Sequence, residues 1–225
     1  MLAWLEGLKG TAETGTLYLP AGVVPPAEYD LPADLVKIAS ASGTGSVLFI
    51  DPGHAYVILP PFPVAENACT RGCSPERLRQ ALIYEHTIGV VLVRLGAYGV
   101  GVCRGETLLA SKVGTGLVHS RHRQGGSSSN RFRRHREKQI EGFMTRVCDH
   151  VNEILLPHAR ALDFLAYGGA WNTILTLQKQ CRFLGHLKAV TLPPLLDIPD
   201  PRQPVLEAAV ERVWSSTVLE WEREP

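Results

Sequence analysis

HSRHRQGGSSSNRFRRHREK, residues 119–138, is the stretch around which the rest of the chain is organised. Arg121 and Arg123 precede a Gln-Gly-Gly-Ser tetrad, Gln124 to Ser127, and Arg131, Arg133, Arg134, Arg136 and Lys138 follow it. Seven of the 23 Lys and Arg residues therefore fall here, with Glu137 the only acid among them. The other positions hold 16 basic and 21 acidic residues, so a formal net charge of +1 conceals one concentrated cationic segment. Such a segment suits a polyanionic partner. Gly125 and Gly126 tolerate positive φ and let backbone approach a ligand closely. Ser127, Ser128 and Ser129 add no bulk, which leaves Gln124 as the one long uncharged polar side chain of the tip.

Ser129 and Asn130 are good N-cap residues. Phe132, Gln139, Phe143, Val147, Val151 and Ile154 then recur at helical spacing, flanked by Ile140, Met144 and Leu155. A Gly/Ser loop leading into a long helix with cations in its first turns is expected.

The run GGSSSNRFRRHREK resembles the catalytic segment in the middle domain of eukaryotic and archaeal class-1 translation release factors. That segment reads Gly-Gly-Gln-Ser-x-x-Arg-Phe-x-Arg-x-Arg, and Gly125, Gly126, Ser128, Arg131, Phe132, Arg134 and Arg136 match it without gaps. The resemblance extends from about His86 to Val190. Ser127 stands where those factors have their catalytic Gln, and the Gln of this chain precedes the glycines as Gln124. A Gln-Gly-Gly-Ser core is similar to the VLRF branch, release-factor-like peptidyl-tRNA hydrolases of ribosome quality control. In that branch a second Gln commonly follows the Ser, at the place held here by Ser128.

The remaining sequence is that of an ordinary soluble chain. It has 225 residues, 45% hydrophobic and 20% charged. The N-terminus MLAWLEGLKG does not read as a secretory signal. No uncharged apolar run reaches the roughly 18 residues of a membrane span. A cytoplasmic protein without membrane contact is expected. Five cysteines at 69, 73, 103, 148 and 181 show no paired zinc spacing beyond one C-x3-C, so free thiols are expected.

In chain order, 16–19, 46–50 and 55–59 read as strands and 31–39 as a short helix. Ser74-Pro75-Glu76 opens another helix. Residues 88–95, 98–104 and 106–113 read as an antiparallel meander with breaks at Gly96-Ala97 and Gly105. After the long helix come a strand over 161–166, a helix over 170–182 and a strand over 187–192. A Pro-rich linker and a final helix over 204–222 follow. The expected class is α/β: a mixed sheet with flanking helices, similar to the release-factor middle domain, with a projecting Gly/Ser loop before a long helix. Two parts are expected, a Pro-rich lobe or sheet extension over 1–74 and the release-factor-like domain over 75–225.

Other chemistries fit these residues less well. His119, His122 and His135 sit among arginines, whose repulsion opposes a metal cation, so no metal is expected there. A serine nucleophile at Ser127, Ser128 or Ser129 lacks a nearby base held by an acid. Gly168-Gly169 lacks a full phosphate-binding pattern.

The resemblance implies a cofactor-free, monomeric hydrolase of the peptidyl-tRNA ester, acting at the peptidyl transferase centre of the large ribosomal subunit. Gln124, Gly125, Gly126, Ser127 and Ser128 would form its catalytic loop. Arg121, Arg123, Arg131, Arg133, Arg134, Arg136 and Lys138 would contact ribosomal RNA and tRNA. No codon-reading module is recognisable, so rescue of stalled nascent chains fits better than stop-codon recognition. Two alternatives stay open: a nuclease cutting the tRNA near its acceptor end, and a ribosome- or tRNA-binding protein without catalysis.

Overall fold

The computed structural model describes residues 1–8, 10, 11, 13–118 and 129–222. In order these form α1 (Leu2–Gly7), β1 (Gly15–Leu19), α2 (Ala33–Ala41), β2 (Ser46–Asp51), β3 (His54–Leu59), β4 (Ala68–Arg71) and α3 (Glu76–Ile83). Then come β5 (Thr87–Arg94), β6 (Ala97–Arg104), β7 (Thr107–Thr115), α4 (Ser129–Leu155), β8 (Phe164–Gly169), α5 (Trp171–Gln180) and α6 (Arg182–His186). The chain finishes with β9 (Val190–Leu196), α7 (Gln203–Val213) and β10 (Thr217–Glu222). Two compact units result: 1–85 with 192–194 and 213–225, and 86–191 with 195–212. By packing, the division thus falls at residues 85 and 86 rather than after residue 74, and the C-terminal strand returns to the first unit.

The first unit is built on an antiparallel sheet of order β10-β3-β2-β1-β4. Its three central strands, β1, β2 and β3, are largely apolar on both faces because both faces are covered. Leu17, Leu19, Leu48, Ile50 and Val57 bury against Ala39 of α2. Their neighbours in the two-residue period, Tyr18, Val47, Phe49 and Ile58, bury against Leu5 of α1 and Leu78 of α3.

The second unit holds a mixed sheet of order β7-β6-β5-β8-β9. β5, β6 and β7 form the expected antiparallel meander, and β8 runs parallel to β5. Gly96 (φ 103°) and Gly105 (φ 56°) make the tight turns of the meander in the left-handed region. Val91, Val93, Tyr98, Val100 and Val102 of the sheet bury against Phe143, Met144, Val147, Val151 and Leu155 of α4 and Ile174 and Leu177 of α5. Leu206 of α7, fully buried, lies over Gly99 and Gly101 of β6. The mixed sheet with flanking helices is as expected from the sequence.

Several elements differ from expectation. The helix expected over 204–222 ends at Val213, and Thr217–Glu222 is a strand paired with β3. In that segment the two-residue period wins, because Leu219 and Trp221 alternate onto the core beside α2. Strand β8 begins at Phe164, three residues later than expected, and β9 continues through Pro193 and Pro194 instead of ending before them. Cys148 and Cys181 are not free thiols. They are bonded to each other, with Cα atoms 5.3 Å apart, while Cys69, Cys73 and Cys103 take no part in a disulfide. Among the described residues, no helix is long and apolar enough to cross a membrane.

Candidate functional site

Helix α4 has 27 residues and two different halves. From Phe143 onward it is anchored: Phe143, Met144, Val147, Val151 and Leu155 are wholly buried. Each such side chain contributes about 1.5–3 kcal/mol relative to exposure. In contrast, none of residues 131–142 is buried. At 1.5 Å per residue this unburied part is about 18 Å long.

The cations occupy that unburied part. Arg131, Arg133, Arg134 and Lys138 are exposed and Arg136 is half-buried. At 3.6 residues per turn, Arg131, Arg134 and Lys138 share one side of the helix, while Arg133 and Arg136 lie on the other. The positive charge therefore surrounds the helix end. The N-terminus of a helix already carries partial positive charge, so a cation there costs about 0.3–1 kcal/mol where an acid would stabilise. No acid stands in the first turn of α4 to offset it. Such an arrangement opposes its own helix and favours an anion beside it. Phe132, also exposed, adds an aromatic ring to this end.

The strand that enters the segment is held close to the helix that leaves it. Thr115 of β7 pairs with Ala97, and the Gly116 amide donates to the Gly96 carbonyl at 2.9 Å. A Cβ on Gly116 would stand 2.6 Å from the Phe143 ring and 2.5 Å from the Arg146 guanidinium. Gly114 is closed in the same way by the Tyr98 ring, whose oxygen would lie 2.3 Å from an added Cβ. These glycines let the end of β7 lie directly on its neighbours.

Of the site residues expected from the sequence, Arg121, Arg123, Gln124, Gly125, Gly126, Ser127 and Ser128 lie outside the described residues, as do His119 and His122. The cations of α4 are brought together as described. Sequence reasoning missed Tyr98, Lys112, His150 and Glu153, which join β6 and β7 to α4. Nothing local marks them, because their partners are 41 and 52 residues away. Among the described residues, one group could hold a metal ion: His54, Glu220 and Glu222. It lies on the adjacent strands β3 and β10 of the first unit, where the Glu220 carboxylate already accepts from Tyr56 at 2.9 Å and meets His54 Nε2 at 3.0 Å. Those two contacts hold the Glu220 carboxyl below its ordinary range.

Residues 86–219 match the Actinobacteria/chloroflexi VLRF1 release factor family, which is more than half of the chain. The protein belongs to that family. The match covers the Gln-Gly-Gly-Ser segment, the cationic helix end and the whole sheet of the second unit. Peptide chain release factor subunit 1 of Archaeoglobus fulgidus is 31% identical over 109 residues, covering 48% of this chain and 27% of that protein. Its counterpart in Pyrococcus abyssi is 30% identical over 104 residues, covering 45% and 25% respectively. The chain thus spans about a quarter of the length of these curated relatives. A crystal structure of the archaeal translation termination factor aRF1 shares 17% identity at a TM-score of 0.45, covering 94% of this chain and 68% of that one.

Proposed function

We propose that this VLRF1-family chain hydrolyses the ester between a nascent peptide and the terminal ribose of its tRNA, releasing peptides from stalled ribosomal complexes. The observation that carries the reading is the family match over residues 86–219, which includes a helix end surrounded by exposed arginines. Ribosomal RNA and tRNA acceptor ends present phosphates and shape, which cations bind with little sequence preference. Arg121, Arg123, Arg131, Arg133, Arg134, Arg136 and Lys138 would dock on them at the peptidyl transferase centre of the large subunit. The enzyme would act as a cytoplasmic monomer without a cofactor.

The chemistry asked of the loop is modest. An activated ester needs a well-placed water in a site that otherwise excludes it. A carboxamide or backbone N–H can orient that water and the departing ribose oxygen without bringing a charge. Gln124 is the side chain of that kind in the tip, and Gly125 and Gly126 keep the tip slim. Ser127 and Ser128 shape it.

The test is to incubate the protein with large subunits carrying peptidyl-tRNA labelled in both peptide and tRNA. The expected products are free peptide and tRNA with its terminal adenosine intact. Shortened tRNA with peptide still attached would make the protein a nuclease. Tight binding without either product would make it a ligand of the ribosome.

A further inference from the structure

A single seam joins the two segments that flank residues 117–142. Alternate residues of β7, with Gly116 just beyond it, face one side of α4. Gly116 lies on Phe143 and Arg146. Gly114 is covered by Tyr98, which is paired with it across the strands and is itself buried. The Tyr98 hydroxyl is hydrogen-bonded to His150 Nδ1, and the two rings stack with centroids 5.3 Å apart. Lys112 Nζ donates to both oxygens of Glu153 at 3.0 Å. Glu153 Oε2 lies 3.9 Å from His150 Nε2, which closes the chain of polar groups.

The spacings of the two elements match. Positions 112, 114 and 116 advance along the strand in steps of about 6.8 Å. The helix residues they reach, 153 from Lys112, 150 from Gly114 by way of Tyr98, and 146 and 143 from Gly116, recede along α4 in steps of three to four residues, about 4.5–6 Å. The strand therefore runs antiparallel to the helix with one contact per step. The packing of Phe143 on Gly116 and the Cys148–Cys181 bond already tie α4 to the fold, and the polar contacts add direction to that hold. A hydrogen bond and a two-pronged ion pair, joined in one network, fit only one register.

We propose that Tyr98, Lys112 and Glu153 are positioning residues for peptide release. They refine the register of α4 on β7, the two elements that lead out of and into residues 119–128. This rests on the hydrolase reading above. The polar atoms act on geometry and touch no substrate, so their loss leaves docking intact and slows the chemical step. A displacement of about 1 Å at the reacting atoms can cost about a hundredfold in rate.

The test uses the full chain. Tyr98→Phe and Lys112→Met keep the ring and the stem but remove the polar contacts. Lys112→Glu combined with Glu153→Lys restores the ion pair with its ends exchanged. Peptide release is measured against ribosome concentration. In parallel, spin labels at Leu109 and Glu137 report the register of α4 against β7, with Cys69 and Cys73 replaced by Ser. The expected result is a release rate at saturation lowered by about ten- to a hundredfold in each single variant. The half-saturating ribosome concentration stays unchanged and the distance distribution broadens. The exchanged pair recovers both the rate and the narrow distribution relative to Lys112→Met. Wild-type release in Tyr98→Phe and Lys112→Met would overturn the positioning role while leaving the hydrolase reading intact. Failure of the exchanged pair to recover would do the same. Absence of release from the wild-type chain would sink the hydrolase reading and this proposal together.

Discussion

Cys148, in the anchored half of α4, is covalently bonded to Cys181, the residue that caps the end of α5. The Gln180 side-chain amide, one residue earlier, donates to the Glu141 carbonyl at 3.1 Å and to the Thr145 hydroxyl at 2.8 Å. The end of α5 thus holds α4 at 141, 145 and 148, where the helix passes from its unburied part to its anchored part. Closing a loop of 33 residues removes unfolded-state entropy. That is worth roughly 2–4 kcal/mol, or a Tm change of roughly 5–15 °C. Cys148→Ser with Cys181→Ser, or reduction of the wild type, should lower Tm by that amount. Alkylation should label three cysteines in denatured, non-reduced protein, and five after reduction. Labelling of five without reductant would remove the bond from the account.

The cationic helix end predicts a graded salt dependence. Arg131→Ala, Arg134→Ala and Lys138→Ala together remove one side of the charged surface, and all three residues are exposed. Each lost phosphate contact lowers the log–log salt slope of binding by about 0.7–0.9 units. The triple variant should therefore bind large subunits more weakly, with a slope flatter by about two to three units and a Tm no lower than that of the wild type. A slope equal to that of the wild type would show that this side of α4 does not face RNA.

His86 predicts a pH effect on stability. Burial pushes its imidazole below the ordinary value, against the pull of the Asp163 carboxylate at 3.5 Å. The unfolded chain binds the His86 proton near pH 6.5, whereas the folded chain binds it only at lower pH. The unfolded state then holds more protons between the two values, so this contribution to stability is present above about pH 6.5. It is lost as pH falls through the folded value. Thermal melts at about pH 7.5 and 5.5 should show a smaller drop in Tm for His86→Gln than for the wild type. An equal or larger drop in the variant would assign the acid sensitivity to other groups.

Much of this architecture can be read from the chain. The meander of β5, β6 and β7 is legible because Gly96 and Gly105 punctuate three runs of strand-forming residues, and both glycines adopt positive φ. The length of α4 follows from its helical stripe, since Phe143, Val147, Val151 and Ile154 all bury. Strand β10 is not legible, because Val218 prolongs the helical stripe of Leu206, Val210 and Val213 while its partner β3 lies more than 150 residues away. Strand β4 is a short edge strand, mostly exposed, with no apolar alternation to reveal it. The Cys148–Cys181 bond and the Tyr98–His150 contact are tertiary facts, and nothing in the spacing of either pair announces them. At the candidate site, the charge of residues 131–138 is a property of sequence. The buried half of α4, which fixes the direction of that charge, is a property of the fold.

The most direct measurement is the rate of peptide release in a single turnover, at saturating large subunits carrying peptidyl-tRNA, for the wild type and for Gln124→Ala, Ser127→Ala and Ser128→Ala. Loss of one preorganised donor costs about a hundred- to a thousandfold at most sites and less where backbone shares the role, so Gln124→Ala should fall by roughly ten- to a thousandfold. Its affinity for the subunit should stay unchanged, because a neutral side chain adds little to electrostatic docking. The two serine variants should lose less. A Gln124→Ala variant that releases peptide at the wild-type rate while Ser127→Ala or Ser128→Ala releases none would contradict the assignment and place the functional group on a serine.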